Sequence, residues 1–201
     1  MSAPLSLSGR QLWAAVRALL VATVVLGLLY PLVITGIAQV VAPGRADGSL
    51  VHAGGQVVGS SLIGQGFTDA RGNPLPQYFQ SRPSASDYDG KASGGSNLGP
   101  NSPDLVQQIK DRRAAVAAFN GVLPADVPAD AVTASGSGLD PGISPAYAAI
   151  QVDRVARERG VPAGQVTALV EKATVGRDLG FIGAPYVNVL ELNVAVDREF
   201  A

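Results

Sequence analysis

The chain has 201 residues, 47% of them apolar and only 15% charged, with a formal charge of −1. That balance leaves no basic footprint for nucleic acid. The absence of cysteine excludes disulfides, thiol nucleophiles, iron–sulfur clusters and Cys-ligated zinc, and a single histidine, His52, in a loop-like stretch, argues against a His-based triad or a multi-His metal site.

Charge is unevenly placed. All 16 acidic residues lie at Asp47 or later, while Arg10 and Arg17 precede the longest apolar run. The N-terminal flank therefore carries +2, and the remainder, with 13 basic against 16 acidic residues, carries −3.

From Ala18 to Pro43 no charge occurs, and fourteen of these residues are Leu, Ile or Val. As a helix this run spans about 39 Å, more than the roughly 30 Å hydrocarbon core of a bilayer. Its aliphatic residues favour insertion by roughly 4–8 kcal/mol. A cleaved signal peptide is the rival reading, but such apolar regions run only about 7–15 residues. Because positive residues stay inside, Arg10 and Arg17 orient the chain. The expected organisation is a cytoplasmic stub over 1–17, a transmembrane helix over 18–43 and an extracytoplasmic domain over 44–201.

Within the span, Thr23, Gly27, Pro31, Thr35 and Gln39 form one i+4 row. Small residues let a partner helix approach closely, and Gln39 offers an amide for an interhelical bond. Pro31 removes a backbone donor and predicts a kink.

Beyond the span, residues 44–56 read as a Gly-rich linker, Gln56–Gly64 as a strand or strand pair, and 65–77 as a loop. Tyr78–Ser81 reads as a short strand. A long loop over 82–102 ends at a helix start, with Ser102 as N-cap and Pro103 as first helical residue. Leu105, Ile109, Val116 and Phe119 share a helical spacing, and Asn120-Gly121 supplies a stop. Residues 131–135 read as a strand. Ser144-Pro145 repeats the cap for a helix to about Glu158, and a third helix begins near Pro162. Val187–Val196 alternates like a strand, with Leu190, Leu192, Val194 and Val196 on one face. The fold class is α+β, with about three helices on a small sheet.

Two Gly/Ser loops, SGGSNLGPNSP (93–103) and SGSGLDPGISP (135–145), resemble each other. Glycine-rich loops at helix starts favour anions, but no G-x-x-x-x-G-K-[ST] motif occurs, and the SGGS at Ser93–Ser96 is only a faint echo of an ABC-transporter signature. Ser135 and Ser137 lack a G-x-S-x-G setting and have only His52 as a possible imidazole base. Asp87, Asp89 and Asp140 match no EF-hand spacing. Arg154, Arg157 and Arg159, with Asp153 and Glu158, read as a solvated, salt-bridged face. Interaction explains the loops better than catalysis does. Ser93, Gly94, Gly95, Ser96, Asn97, Ser135, Ser137 and Asp140 are the candidate partner-contact residues. No cofactor or metal is assigned to the chain.

In order, YPLVITGIAQ, GSSLIGQGF, YFQSRPSA, YDGKASGGSNLGP, VTASGSGLDPGISP, RVARERG and GRDLGFIGAPYVNVLELN resemble the C subunit of the bacterial Kdp potassium-transporting ATPase, over about residues 30–193. The resemblance implies a non-catalytic accessory subunit in the inner membrane of bacteria. Its implied partners are a P-type ATP-hydrolysing subunit, a potassium-channel-like subunit and a small single-span subunit. It also implies a catalytic-chaperone role that raises ATP affinity, while ATP and potassium are handled by those partners. The chain carries no D-K-T-G phosphorylation motif. Ala184-Pro185-Tyr186 departs from the family pattern, which implies a charge near that proline. The competing reading is an independent membrane-anchored extracytoplasmic protein binding a small ligand or cation.

Overall fold

The computed structural model describes residues 4–200, and the chain divides into two compact units at Ser49/Leu50. The first unit is a long helix made of α1 (Pro4–Ala22), a π-helical stretch (Thr23–Leu29) and α2 (Tyr30–Val41), followed by one short turn, α3 (Pro43–Ala46). Gly9–Val41, 33 residues, is long and apolar enough to cross a membrane, and its large apolar side chains are exposed. The helix begins well before the uncharged run and takes in both Arg10 and Arg17.

Pro31 explains the π stretch. In an α-helix its ring meets the carbonyl four residues back, that of Gly27, and its missing N–H leaves that carbonyl unpaired. Here the helix widens ahead of the proline, so that the Tyr30 N–H reaches back five residues to Val25 O. The conflict expected to kink the helix is taken up by this wider turn.

The second unit opens with an antiparallel hairpin, β1 (Leu50–Ala53) and β2 (Gln56–Ser60). Gly54 and Gly55 form its turn with φ of +56° and +81°, the mirror-image conformation that suits strand twist and that glycine adopts cheaply. His52, expected in a linker, stands on β1 opposite Val57, beside a bulge.

Helices α4 (Pro103–Asn120) and α5 (Pro145–Arg159) start and stop where the sequence places them. Ser144 Oγ accepts the Tyr147 N–H at 3.0 Å, and Gly121 and Gly160 end the two helices in the left-handed region. Asp130 holds the second cap, accepting from Ser144 N–H and Oγ–H at 2.7 and 2.9 Å. Then come α6 (Ala163–Ala173) and α7 (Val189–Glu199). Three short strands, β3 (Gly142–Ile143), β4 (Thr174–Val175) and β5 (Tyr186–Asn188), form an antiparallel sheet in the order β3-β5-β4. The core gathers Phe79, Ile143, Val155, Val166, Val187 and Leu192, with α6 packed between α5 and α7.

The α+β class stands, but the unit holds four long helices and two small sheets, because the expected strand over 187–196 is mostly helix α7. Asn188 ends β5 and caps α7, its Oδ1 accepting the Glu191 N–H at 3.1 Å. Val189, Leu190, Leu192, Asn193 and Val196 are buried, a spacing of 3.6 rather than 2. Nor is 131–135 a strand: a 3-10 turn over Ala129–Ala131 leads into bends.

Candidate functional site

Tyr78–Ser81 is extended but joins no sheet. Side-chain amides replace the missing neighbour strand. Asn193 accepts the Phe79 N–H and donates to the Phe79 carbonyl, at 2.8 and 2.9 Å. Gln151 does the same for Gln80, at 2.7 and 3.1 Å. Both amides are buried, so every polar atom they engage would otherwise go without water. Phe79, fully buried, sits between these clamps.

Beneath them lies Arg154, 1% exposed. Its guanidinium donates to Asn120 Oδ1, Tyr78 O and Gln151 Oε1, each at 2.9 Å, and to Pro76 O. It stacks on Phe119 at 4.3 Å. Burial pulls its pKa down to about 10. The expected solvated arginine face is therefore corrected. Arg154 faces inward, Arg159 pairs with Asp197 at 2.5 Å and covers the Tyr78 ring, and only Arg157 keeps a local exposed partner, Glu158. At about 100° per residue Arg154 falls on the face it shares with buried Gln151 and Val155, while Asp153 stays exposed.

The two Gly/Ser loops meet. Gly94 N–H and Ser93 Oγ–H both donate to Ser137 O, at 2.8 and 3.0 Å. Ser84 Oγ donates to Gly138 O at 2.7 Å. Ser135 N–H reaches Pro83 O, and Ser135 Oγ accepts the Asp140 N–H at 3.3 Å. A Cβ on Gly95 would stand 2.8 Å from Gly136 O, and one on Gly138 2.7 Å from Gly94 O. The small residues are thus needed where one loop crosses the other. Ser96 and Asn97 are exposed beside this seam.

Arg82 ties the seam to Asp140 through a 2.8 Å ion pair, and Asp140 Oδ1 also accepts the Gly142 N–H. Tyr88 donates to Arg82 O, and its ring lies against Gly64, where a Cβ would meet it at 2.6 Å. Asp87 and Tyr88 both have positive φ, +49° and +60°, a costly pair for non-glycine residues. Ser84 Oγ offsets the cost by accepting the N–H groups of Ser86 and Tyr88. Burial pushes the Tyr88 phenol up to about 12.

As for the aspartates weighed as cation ligands, Asp140 is engaged by Arg82, and Asp89 accepts the Lys91 N–H. No group of three metal-ligating side chains forms among the described residues. Within the helix, the Gln39 amide donates to Asp47 at 2.8 Å, and Gly27 has only Thr23 near it, at 3.8 Å from a built Cβ.

Sequence reasoning missed one surface. The turn after β4 carries Leu179 and Phe181, 83% and 72% exposed, with Ile182 half exposed beside them, held by a bridge between Asp178 and Ile182. Its signal is the apolar cluster LGFIG, Leu179–Gly183.

The chain thus has one helix long and apolar enough to cross a membrane and an α+β unit whose Gly/Ser loops lock on each other. Residues 12–198 match the family of KdpC, the c chain of K+-transporting ATPase, and the chain belongs to that family. It is 49% identical to the potassium-transporting ATPase KdpC subunit of Streptomyces coelicolor, covering 98% of this chain and 96% of the relative. The KdpC subunits of Beijerinckia indica and Kineococcus radiotolerans are each 54% identical, over 90% and 93% of both chains.

Proposed function

We propose that the chain is the non-catalytic accessory subunit of an ATP-driven potassium importer, inserted with residues 1–17 in the cytoplasm, helix 18–43 in the inner membrane and 44–201 outside. In this reading it stabilises an assembly of a P-type ATP-hydrolysing subunit, a potassium-channel-like subunit and a small single-span subunit. The observation that carries it is the exposed apolar helix Gly9–Val41 in a member of the KdpC family. Such a surface calls for lipid and neighbouring helices. Thr23, Gly27, Pro31, Thr35 and Gln39 are the row offered to a partner helix, and lipid covers the rest.

Outside the membrane, Ser96, Asn97 and the exposed face of Ser137 border the locked seam and form the polar part of the partner contact. Leu179 and Phe181 supply its apolar part, resting on the potassium-channel-like subunit. Raised ATP affinity in the hydrolysing subunit follows as a coupling transmitted through partners. In support, the Gly94 N–H that could cradle a phosphate is already given to Ser137. Deleting the chain tests the reading: growth on micromolar potassium is expected to fail and the other subunits to separate on purification. Normal growth and an intact complex would contradict it.

A further inference from the structure

A cavity of about 220 Å³ opens between α4 and the irregular segment that precedes it. Its walls are apolar, from Pro74, Pro83, Ala115, Val116 and Phe119. Most polar groups on its lining are already committed. The Gln80 amide donates to the carbonyls of Phe67, Leu75 and Tyr78. Ser81 Oγ donates to Gln65 O, and the Asn120 side chain is held between Arg154 and Val116.

Two donors are left. Arg112 gives one N–H to Val132 O at 3.1 Å, and no carboxylate pairs with it among the described residues. Tyr147 lines the cavity, is 3% exposed, and its phenol makes no hydrogen bond among the described residues. A cation and a phenol O–H, both unanswered, beside apolar walls and without an acidic neighbour on the lining, make a receptor for one negative charge on an apolar body.

We propose that this cavity binds a small apolar monocarboxylate, its carboxylate on Arg112 and Tyr147 and its body against Phe119, Val116 and the two prolines. The volume equals the liquid share of about seven waters, which suits a molecule near the size of benzoate. A dianion is disfavoured, since one guanidinium cannot compensate a second charge against such walls.

The test uses the full chain in lipid nanodiscs, with para-fluorobenzoate observed by fluorine NMR. Saturable binding is expected, displaced by benzoate and not by the neutral isostere benzamide. Arg112→Gln should weaken it by about tenfold or more, the worth of a charge-assisted bond. Tyr147→Phe should weaken it by less. Ala115→Trp fills the cavity from an exposed position on α4 and should abolish binding while far-UV circular dichroism stays unchanged. The proposal is overturned if no saturable binding occurs, if benzamide competes as well as benzoate, or if both Arg112→Gln and Ala115→Trp bind as the parent chain does.

Discussion

Asn193 illustrates how much one side chain can hold. It satisfies both backbone polar groups of Phe79, 114 residues away in the chain, and does so out of contact with water. Asn193→Ala orphans two buried groups and is expected to cost about 2–4 kcal/mol in urea or thermal unfolding. Asn193→Asp keeps the acceptor but loses the donor and buries a carboxylate. Desolvation raises that carboxyl's pKa in the folded state, so its protonated form is the tolerated one. The Asp variant is therefore least destabilised in acid and loses stability as pH rises above the ordinary aspartate range, whereas the Ala variant's deficit stays flat. Equal, pH-independent deficits for the two would refute the clamp.

At the other end of the pH scale, the buried phenols of Tyr88 and Tyr147 both resist ionisation. Below pH 10 these tyrosines are protonated whether folded or not. Above it the unfolded chain releases their protons first, so stability falls as pH climbs from 10 towards 12. Arg154 works the other way: burial lowers its pKa to about 10, so part of its desolvation cost is relieved at the alkaline end of the range. Two phenols against one guanidinium leave a net loss. Unfolding followed from pH 9 to 12, beside tyrosinate absorbance, should show both the falling midpoint and the late titration of Tyr88, which Tyr88→Phe removes.

Elements were legible where their signal was local. Ser102-Pro103 and Ser144-Pro145 mark helix starts, and Gly121 and Gly160 mark stops, because caps are written within four residues of the ends they close. Helix α7 failed for an instructive reason. VNVLELNVAV satisfies both periods, and its alternation masks the Asn188…Glu191 spacing that announces a capped helix. The loop crossing and the Arg154 cluster were illegible because most of their partners lie 34 to 78 residues apart. Composition shows that loops 93–103 and 135–145 are small and polar; only the fold shows that they are small for each other. For the membrane helix the proposed partner row can be tested directly. A Cβ on Gly27 meets no side chain closer than Thr23 at 3.8 Å, so Gly27→Leu starts from open space on the helix surface. Lost co-purification with the other subunits, at unchanged expression, is expected. Undiminished co-purification would remove Gly27 from the interface.

At the scale of the whole molecule, the two ends of the apolar run carry opposite charge, +2 before it and −3 after it. In the proposed topology the α+β unit lies outside the cell because Arg10 and Arg17 outnumber Arg45, the one basic residue close behind the run. Protease added to intact spheroplasts should digest that unit, and protection from it would reverse the orientation and reopen direct contact with ATP. The same scale governs stability: a chain that exposes an apolar helix and an apolar turn is stabilised by whatever covers them, so its unfolding midpoint should rise with assembly.

The widened turn ahead of Pro31 has a consequence for any labelling map of the apolar helix. Residues 4–22 and 30–41 wind as two α-helical stretches joined by seven residues of slower rotation. A single helical wheel drawn through both puts the second half on the wrong side. In a single-cysteine ladder, for which this naturally cysteine-free chain offers a clean background, crosslinks should follow one phase up to Ala22, slip, and resume in another from Tyr30.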